Sequence, residues 1–343
     1  MHFAAADSLS SIYVLRDLEI ILLVTLFAGL LFHGVKRLCF PKPSPVYVEE
    51  IIPLPPPLPP LETDFAIPLP PPPPLPGKKT QPTRKFGIDA SHFTPWDFLV
   101  CFIVLAMFLA QPFFAATPAG IEAASEATKG NPLNNLIQAV AVYGLLTALV
   151  LAMLQWVGGR SPVEVFGLNR VSQPATLAFI LIGASIAICC ILLISNSSMD
   201  YLEQLFGEIE TQAPVKSLQE EESMLNKLYL IAAAVIVAPL FEELVFRGYF
   251  YGILKKYTDP MFSAFITGGI FAVIHVNIPS ILPLWFFGIF LALAYEASRS
   301  LWVPIGIHAL FNATTIAMIF LSKGEDAERA VEIAPAWLTS FFQ

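Results

Sequence analysis

The sequence predicts an all-α polytopic membrane protein with about eight transmembrane helices and a helical bundle in its C-terminal part. Three observations predict it. Of 343 residues, 56% are hydrophobic and only 13% are charged, against about a quarter charged in a soluble domain. The mean hydropathy is +0.67, so the chain needs the bilayer as a second solvent. The apolar residues also gather into eight stretches divided by polar connections. These numbers exclude an ordinary soluble enzyme. They exclude a disordered chain too, which would be apolar-poor and charge-rich. With 19 Lys plus Arg against 27 Asp plus Glu, the net charge is −8, so no nucleic-acid partner is expected.

The first stretch, Ile20 to Phe32, is extended by Gly34 and Val35 toward the roughly 20 residues a spanning helix needs. Asp17 and Glu19 precede it, while Lys36 and Arg37 follow. A secretory signal peptide has the reverse arrangement. Residues 1–38 therefore read as a retained anchor with its N-terminus outside. Residues 39–94 are a proline-rich cytoplasmic linker. Sixteen of the 30 prolines fall within 41–76, where they favour polyproline II. Fully extended, this stretch reaches about 110 Å. A stiff tether is the plain reading, and a docking ligand for a proline-binding partner is the alternative. Lys78, Lys79, Arg84 and Lys85 follow it and keep it in the cytoplasm.

Apolar segments at 96–116, 135–157 and 175–195 form a unit of accessory transmembrane helices over 95–198. Residues 199–226 form an acidic extracytoplasmic loop with Glu203, Glu208, Glu210, Glu220, Glu221 and Glu222. Segments at 228–254, 261–276, 281–298 and 301–322 make up a C-terminal core over 227–323, and 324–343 is a C-terminal tail. Arg160, Arg170, Lys255, Lys256 and Arg299 lie in the alternate connections, which places those inside and the acidic loop outside. No internal repeat is visible, which argues against an inverted-repeat transporter. Cys39, Cys101, Cys189 and Cys190 lie in or beside apolar segments without a CxxC pair, and read as buried free thiols.

Polar residues interrupt three of the C-terminal segments. Ala238-Pro239-Leu240-Phe241-Glu242-Glu243-Leu244-Val245-Phe246-Arg247 carries two carboxylates and a guanidinium, each costing about 2.5–3.5 kcal/mol at mid-membrane on insertion scales. Glu243 and Arg247 are four apart and can pair on one helix face. Glu242 points about 100° away and lacks that partner, which makes it a candidate proton acceptor near neutral pH. His275 ends the second segment. His308 and Asn312 share one face of the third. Counted from Lys255, Pro260 and Ser300 at about 1.5 Å per residue, Glu242, His275, His308 and Asn312 lie about 20, 22, 12 and 18 Å above the cytoplasmic surface. Three helices thus place polar groups in one slab. Glu296 sits at the end of a span, where surface solvation is its expected role. Phe271 and Phe311 read as packing.

A carboxylate, two imidazoles and a carboxamide make a hydrolytic set. No nucleophile elbow and no HExxH is present in the sequence. No cofactor is expected. Zinc is the alternative, with Glu242, His275 and His308 as acceptable ligands.

In order and on separate helices, Glu242-Glu243-xxx-Arg247, Phe271-xxx-His275 and His308-xxx-Asn312 resemble the three motifs of the CAAX-protease and bacteriocin-processing (Abi) family of intramembrane proteases, often labelled metalloproteases. Ser300-Leu301-Trp302-Val303-Pro304-Ile305 before His308 is also similar to that family, and the resemblance covers about 228–322. It includes the type II CAAX prenyl endopeptidase. The resemblance implies a membrane endopeptidase of the bacterial inner (plasma) membrane acting on a membrane-associated protein or peptide. In that scheme Glu242 activates water, assisted by His275, and His308 and Asn312 form the oxyanion hole. Glu243 and Arg247 hold the first helix in place. Two rivals stand beside it. One is a proton-coupled transporter, since intramembrane Glu and His also relay protons. The other is a non-proteolytic scaffold or immunity protein using the proline-rich tether as its contact arm.

Overall fold

The computed structural model describes residues 2–39, 87–115, 132–170, 173–206, 218, 221–275 and 278–321. The proline-rich stretch 41–76, residues 207–217 of the acidic segment and the tail 324–343 lie outside the described residues. Among the described residues all regular structure is helical. The order is α1 (His2–Cys39), α2 (Pro95–Ala115), α3 (Pro132–Ala152), a π-helical turn π1 (Met153–Val157), the short α4 (Pro162–Val165) and α5 (Gln173–Phe206). Then come α6 (Met224–Ala232), π2 (Ala233–Val237), α7 (Ala238–Glu243), π3 (Leu244–Tyr251) and α8 (Gly252–Tyr257), which form one continuous helical rod. The chain finishes with α9 (Pro260–Val273), α10 (Ile278–Ser298) and α11 (Trp302–Leu321).

Six helices among the described residues are long and apolar enough to cross a membrane, and two shorter apolar helices, Pro95–Ala106 and Pro260–Val273, accompany them. Together they match the eight apolar segments of the sequence. The protein is an all-α, multi-pass membrane protein. Its polarity is distributed accordingly. Ile20, Val24, Phe27 and Leu31 stand exposed one turn apart along α1, and Leu177, Ile182, Ile186 and Leu193 are exposed on α5. Glu242, Glu243, Arg247, His275, His308 and Asn312 are buried. Ionisable groups in a membrane protein are held inward in this way because lipid cannot solvate them.

Local signals set the ends of these helices. Asp259 caps α9 by accepting from the amides of Met261 and Phe262, both at 3.0 Å, with Pro260 in the first turn. Thr94 and Asp97 form a reciprocal box at the start of α2. The Thr94 amide donates to Asp97 Oδ2 at 2.6 Å and the Asp97 amide to Thr94 Oγ1 at 3.4 Å. α5 runs beyond its apolar stretch to Phe206, so Asp200 and Glu203 of the acidic segment are helical. No proline or glycine interrupts the chain between Gly183 and Gly207, and nothing stops the helix earlier.

The core is built around the α9–α10 pair, the most extensive helix contact among the described residues. Two glycines allow it. A Cβ on Gly288 would lie 2.6 Å from the Gly268 Cα, and one on Gly268 would lie 2.9 Å from the Ile289 amide nitrogen. The backbones therefore touch, as small residues permit between membrane helices. α1 lies antiparallel along α9. His33 Nε2 meets Asp259 Oδ2 at 3.1 Å, and Leu22 reaches the level of Gly269. α5 packs on both α10 and α11, and α3 packs on α6, α7 and π3.

Two expectations are corrected. Cys189 and Cys190 are exposed and Cys101 is half-buried, because α5 sits at the rim and turns the pair outward. Glu296 is buried rather than solvated, at 6% exposure. Its Oε2 accepts from the Tyr251 hydroxyl at 3.0 Å and from the Ile88 amide at 3.4 Å, while Oε1 pairs with Lys255 Nζ at 2.5 Å. Lys255 Nζ also donates to the Ile88 carbonyl at 2.8 Å. The chain just after the proline-rich stretch is thus pinned at both backbone groups of one residue. Gly87, at φ +89°, is where glycine is required, since a Cβ there would overlap the Glu296 carboxylate.

Candidate active site

The Glu242-Glu243 pair lies on α7, six residues of α-helix between two π-helical stretches. Such widened turns re-aim the side chains beside them and recur at functional sites. Here they turn both carboxylates inward, Glu242 at 2% and Glu243 at 0% exposure. Glu243 Oε1 pairs with Arg247 Nη1 at 2.7 Å, and Arg247 Nη2 donates to the Gly288 carbonyl at 3.3 Å. That carbonyl is within reach because the Gly268–Gly288 crossing brings α10 close. The guanidinium also lies 4.3 Å from the centre of the Phe271 ring, a desolvated cation on an aromatic face.

From α11, His308 Nδ1 donates to Glu243 Oε1 at 2.9 Å. The His308 Nε2 atom then lies 3.9 Å from Glu242 Oε2. That is beyond hydrogen-bond range but within reach of one shared water oxygen. Glu242 Oε2 has no hydrogen-bond partner among the described residues. The two adjacent glutamates therefore have different surroundings. Glu243 is held by a guanidinium and an imidazole, and Glu242 keeps an oxygen without a bonded partner facing His308.

His275 follows the end of α9, and its Nδ1 meets the Phe271 carbonyl at 2.5 Å. A carbonyl only accepts, so Nδ1 carries the proton there. The Phe271 ring lies between the two histidines, 4.7 Å from His275 and 5.9 Å from His308 by ring centroids. On the far side Phe287 packs edge-on against His308 at 5.4 Å and stacks with Phe311 at 4.4 Å. Asn312, one turn beyond His308, donates from Nδ2 to the Ala234 carbonyl at 2.8 Å. Its Oδ1 has no hydrogen-bond partner among the described residues.

The structure thus joins Glu243, Arg247 and His308 directly and brings Glu242 Oε2 to 3.9 Å from the same imidazole. It sets His275 beside them across Phe271 and ties Asn312 to the start of the same rod. His275, His308 and Asn312 are all at 0% exposure. Among the described residues no three His, Cys, Asp or Glu side chains form a group that could hold a metal ion.

Sequence reasoning passed over two contributors. Phe271 was read as packing, and it does pack, but on Arg247 and both histidines, with its carbonyl fixing the His275 tautomer. Tyr143 on α3 was not singled out. Its ring stacks on Phe241, the residue before Glu242, at 6.0 Å with an 18° interplanar angle. The available signal was a hydroxyl in an otherwise apolar run. It is weak, since Tyr is common at membrane interfaces.

Residues 224–314 match the family model described as type II CAAX prenyl endopeptidase Rce1-like. That segment contains Glu242, Glu243, Arg247, His275, His308 and Asn312. A protein of Bacillus subtilis (strain 168) named "Putative membrane peptidase YdiL" is 30% identical over 89 residues, 26% of this chain. The match spans 36% of that relative's length. No solved structure matches the chain.

Proposed function

We propose that this protein is an intramembrane endopeptidase of the CAAX-protease type that hydrolyses a peptide bond in or near the bilayer with water activated by Glu242. The observation that carries the proposal is the 3.9 Å approach of Glu242 Oε2 to His308 Nε2, with His308 held from behind by Glu243. One water between these atoms would find a carboxylate to take its proton and an imidazole to orient it. The Glu243–His308 contact fixes the tautomer and orientation of the ring, as a buried carboxylate does for a catalytic histidine elsewhere. Arg247 holds Glu243 in place.

The hydrogen bonds support a division of labour among the donors. His308 and His275 both donate through Nδ1, to Glu243 and to the Phe271 carbonyl. While neutral, each ring therefore offers a lone pair at Nε2 and orients water. Once protonated, each offers an N–H to a developing oxyanion. Asn312 needs no protonation, because Nδ2 keeps a second hydrogen after bonding Ala234. On this reading the substrate is a membrane-associated protein or peptide. The enzyme lies in the inner (plasma) membrane of a bacterium, with the N-terminus of α1 outside.

The test uses the purified protein reconstituted in liposomes with a substrate found by terminus mapping. Glu242→Gln is expected to abolish cleavage while the protein stays folded and inserted. Cleavage at the wild-type rate would remove the proposed base. Chelator treatment is expected to leave the wild-type rate unchanged. Loss of activity restored by added zinc would overturn the metal-free mechanism. Proton-coupled uptake that Glu242→Gln stops, without new termini, would favour a transporter. A phenotype lost on deleting 41–76 and kept in Glu242→Gln would favour a scaffold.

A further inference from the structure

Pro239 lies inside the rod that carries Glu242, where proline removes an amide donor and crowds the preceding turn. The turn before it is π2, and there the register can be followed bond by bond. The Ala238 amide donates to the Ala233 carbonyl, five residues back. In that register the next amide, at position 239, would donate to the Ala234 carbonyl. Proline has no N–H to give. The Ala234 carbonyl, on a residue at 0% exposure, thus loses its helical partner and would be costly to leave unpaired. The group that meets it is Asn312 Nδ2, at 2.8 Å. This bond also settles how the Asn312 amide is turned. Nδ2 must face the carbonyl, so Oδ1 lies on the other side and the second Nδ2 hydrogen remains for another acceptor.

We propose that Pro239 is a positioning residue for Asn312: by withholding its amide hydrogen it leaves the Ala234 carbonyl to the Asn312 carboxamide and so fixes the orientation of that carboxamide beside His308. The proposal rests on the peptidase reading only for its catalytic consequence. The contact itself concerns stability and is testable without a substrate. Replacing Pro239 by any ordinary residue supplies an amide that competes for Ala234. Asn312 is then released to turn, with no change in its own chemistry. Pro239 also lies three residues before Glu242, so a shift of the whole rod is the competing explanation.

A double-mutant cycle separates the two. Pro239→Ala, Asn312→Ala and the double variant are compared with wild type, reading the thermal midpoint in detergent and the yield of wild-type-specific new protein termini in membranes. Asn312→Ala should lower the midpoint by roughly 2–4 °C when Pro239 is present, because it strands a buried carbonyl. It should lower it by less than half as much in the Pro239→Ala background, where the new amide takes that carbonyl. Turnover should fall about 100-fold in Asn312→Ala, as for loss of one oxyanion donor, and about tenfold in Pro239→Ala, with the double variant no worse than Asn312→Ala alone. Such non-additivity is the signature of residues acting as a unit. Additive effects in the midpoint or in turnover would overturn the proposal and favour a shifted rod. Unchanged turnover in Pro239→Ala would overturn it as well. Should Pro239→Ala fail to accumulate, Pro239→Ser supplies the same amide. Asn312→Leu, which keeps the approximate size and loses the donor, should then match Asn312→Ala in the wild-type background, and wild-type behaviour would refute the contact. If wild type itself produces no new termini, the peptidase reading falls, and the midpoint cycle still decides the contact.

Discussion

Oε1 of Glu243 accepts from Arg247 at 2.7 Å and from His308 at 2.9 Å, so one buried atom fixes a guanidinium and an imidazole together. Removing it leaves Arg247 charged, buried and short of its partner, which costs about 3–5 kcal/mol in such cases. Glu243→Ala is therefore expected to lower the unfolding midpoint sharply as well as the activity. An unchanged midpoint in thermal denaturation would show the pair to be dispensable. The Glu243–Arg247 half of this cluster was legible, because residues four apart on a helix face each other. The His308 half spans 65 positions, and no local rule reaches that far. Matching depths along three helices located the slab but not the bonding partner, which is Glu243 for Nδ1 and not Glu242. Outside the membrane-spanning segments, burial pushes the pKa of His92 below its usual 6.5. Folded His92 binds a proton less readily than unfolded His92, so its contribution to stability is present above about pH 6.5 and is lost as the pH falls below it. The midpoint should therefore drop less between about pH 7 and 5 in His92→Gln than in wild type. Equal drops would remove His92 from the acid response.

Apolar length and the flanking charges located eight helical segments, and the Asp259-Pro260 cap at the start of α9 is a further local signal that the apolar pattern does not use. The π-helical stretches around α7 were not legible, because apolar period and propensity read nearly the same in an α-turn and a π-turn. Pro239 was the one local sign of disturbed bonding in that helix. The α9–α10 contact was equally hidden. Gly268 and Gly288 look like ordinary membrane glycines until the helices are seen to cross there. Gly288→Ala places a methyl group 2.6 Å from the Gly268 Cα, and overpacking of this kind costs about 1–3 kcal/mol. The same shift moves the carbonyl that receives Arg247. The variant is expected to lose both stability and activity, while an exposed-face change such as Leu282→Ala should lose neither. Equal behaviour of the two in denaturation and turnover assays would contradict the role given to the crossing. Glu296 was misread at this scale because a span end is usually wet. Here Lys255 and Tyr251 from the neighbouring rod, together with the backbone of Ile88, close over it.

Across the whole molecule, apolar side chains face outward over much of the surface, and the charged and polar groups of three helices meet inside. The composition stated the first half of that arrangement. The second half emerged from placing the few intramembrane polar residues at one depth. The accessory helices do more than fill space, since α3 stacks Tyr143 on Phe241, the residue before Glu242, and the segment after the proline-rich stretch is clamped onto the core through Glu296 and Lys255. On the proposed reading, the buried polar set cuts peptide bonds. The most direct test of that reading is a census of new protein termini in membranes of cells carrying wild-type or Glu242→Gln protein at matched abundance. A set of termini should appear with wild type and be absent with Glu242→Gln. Identical termini in the two membranes, with both proteins folded and abundant, would contradict it.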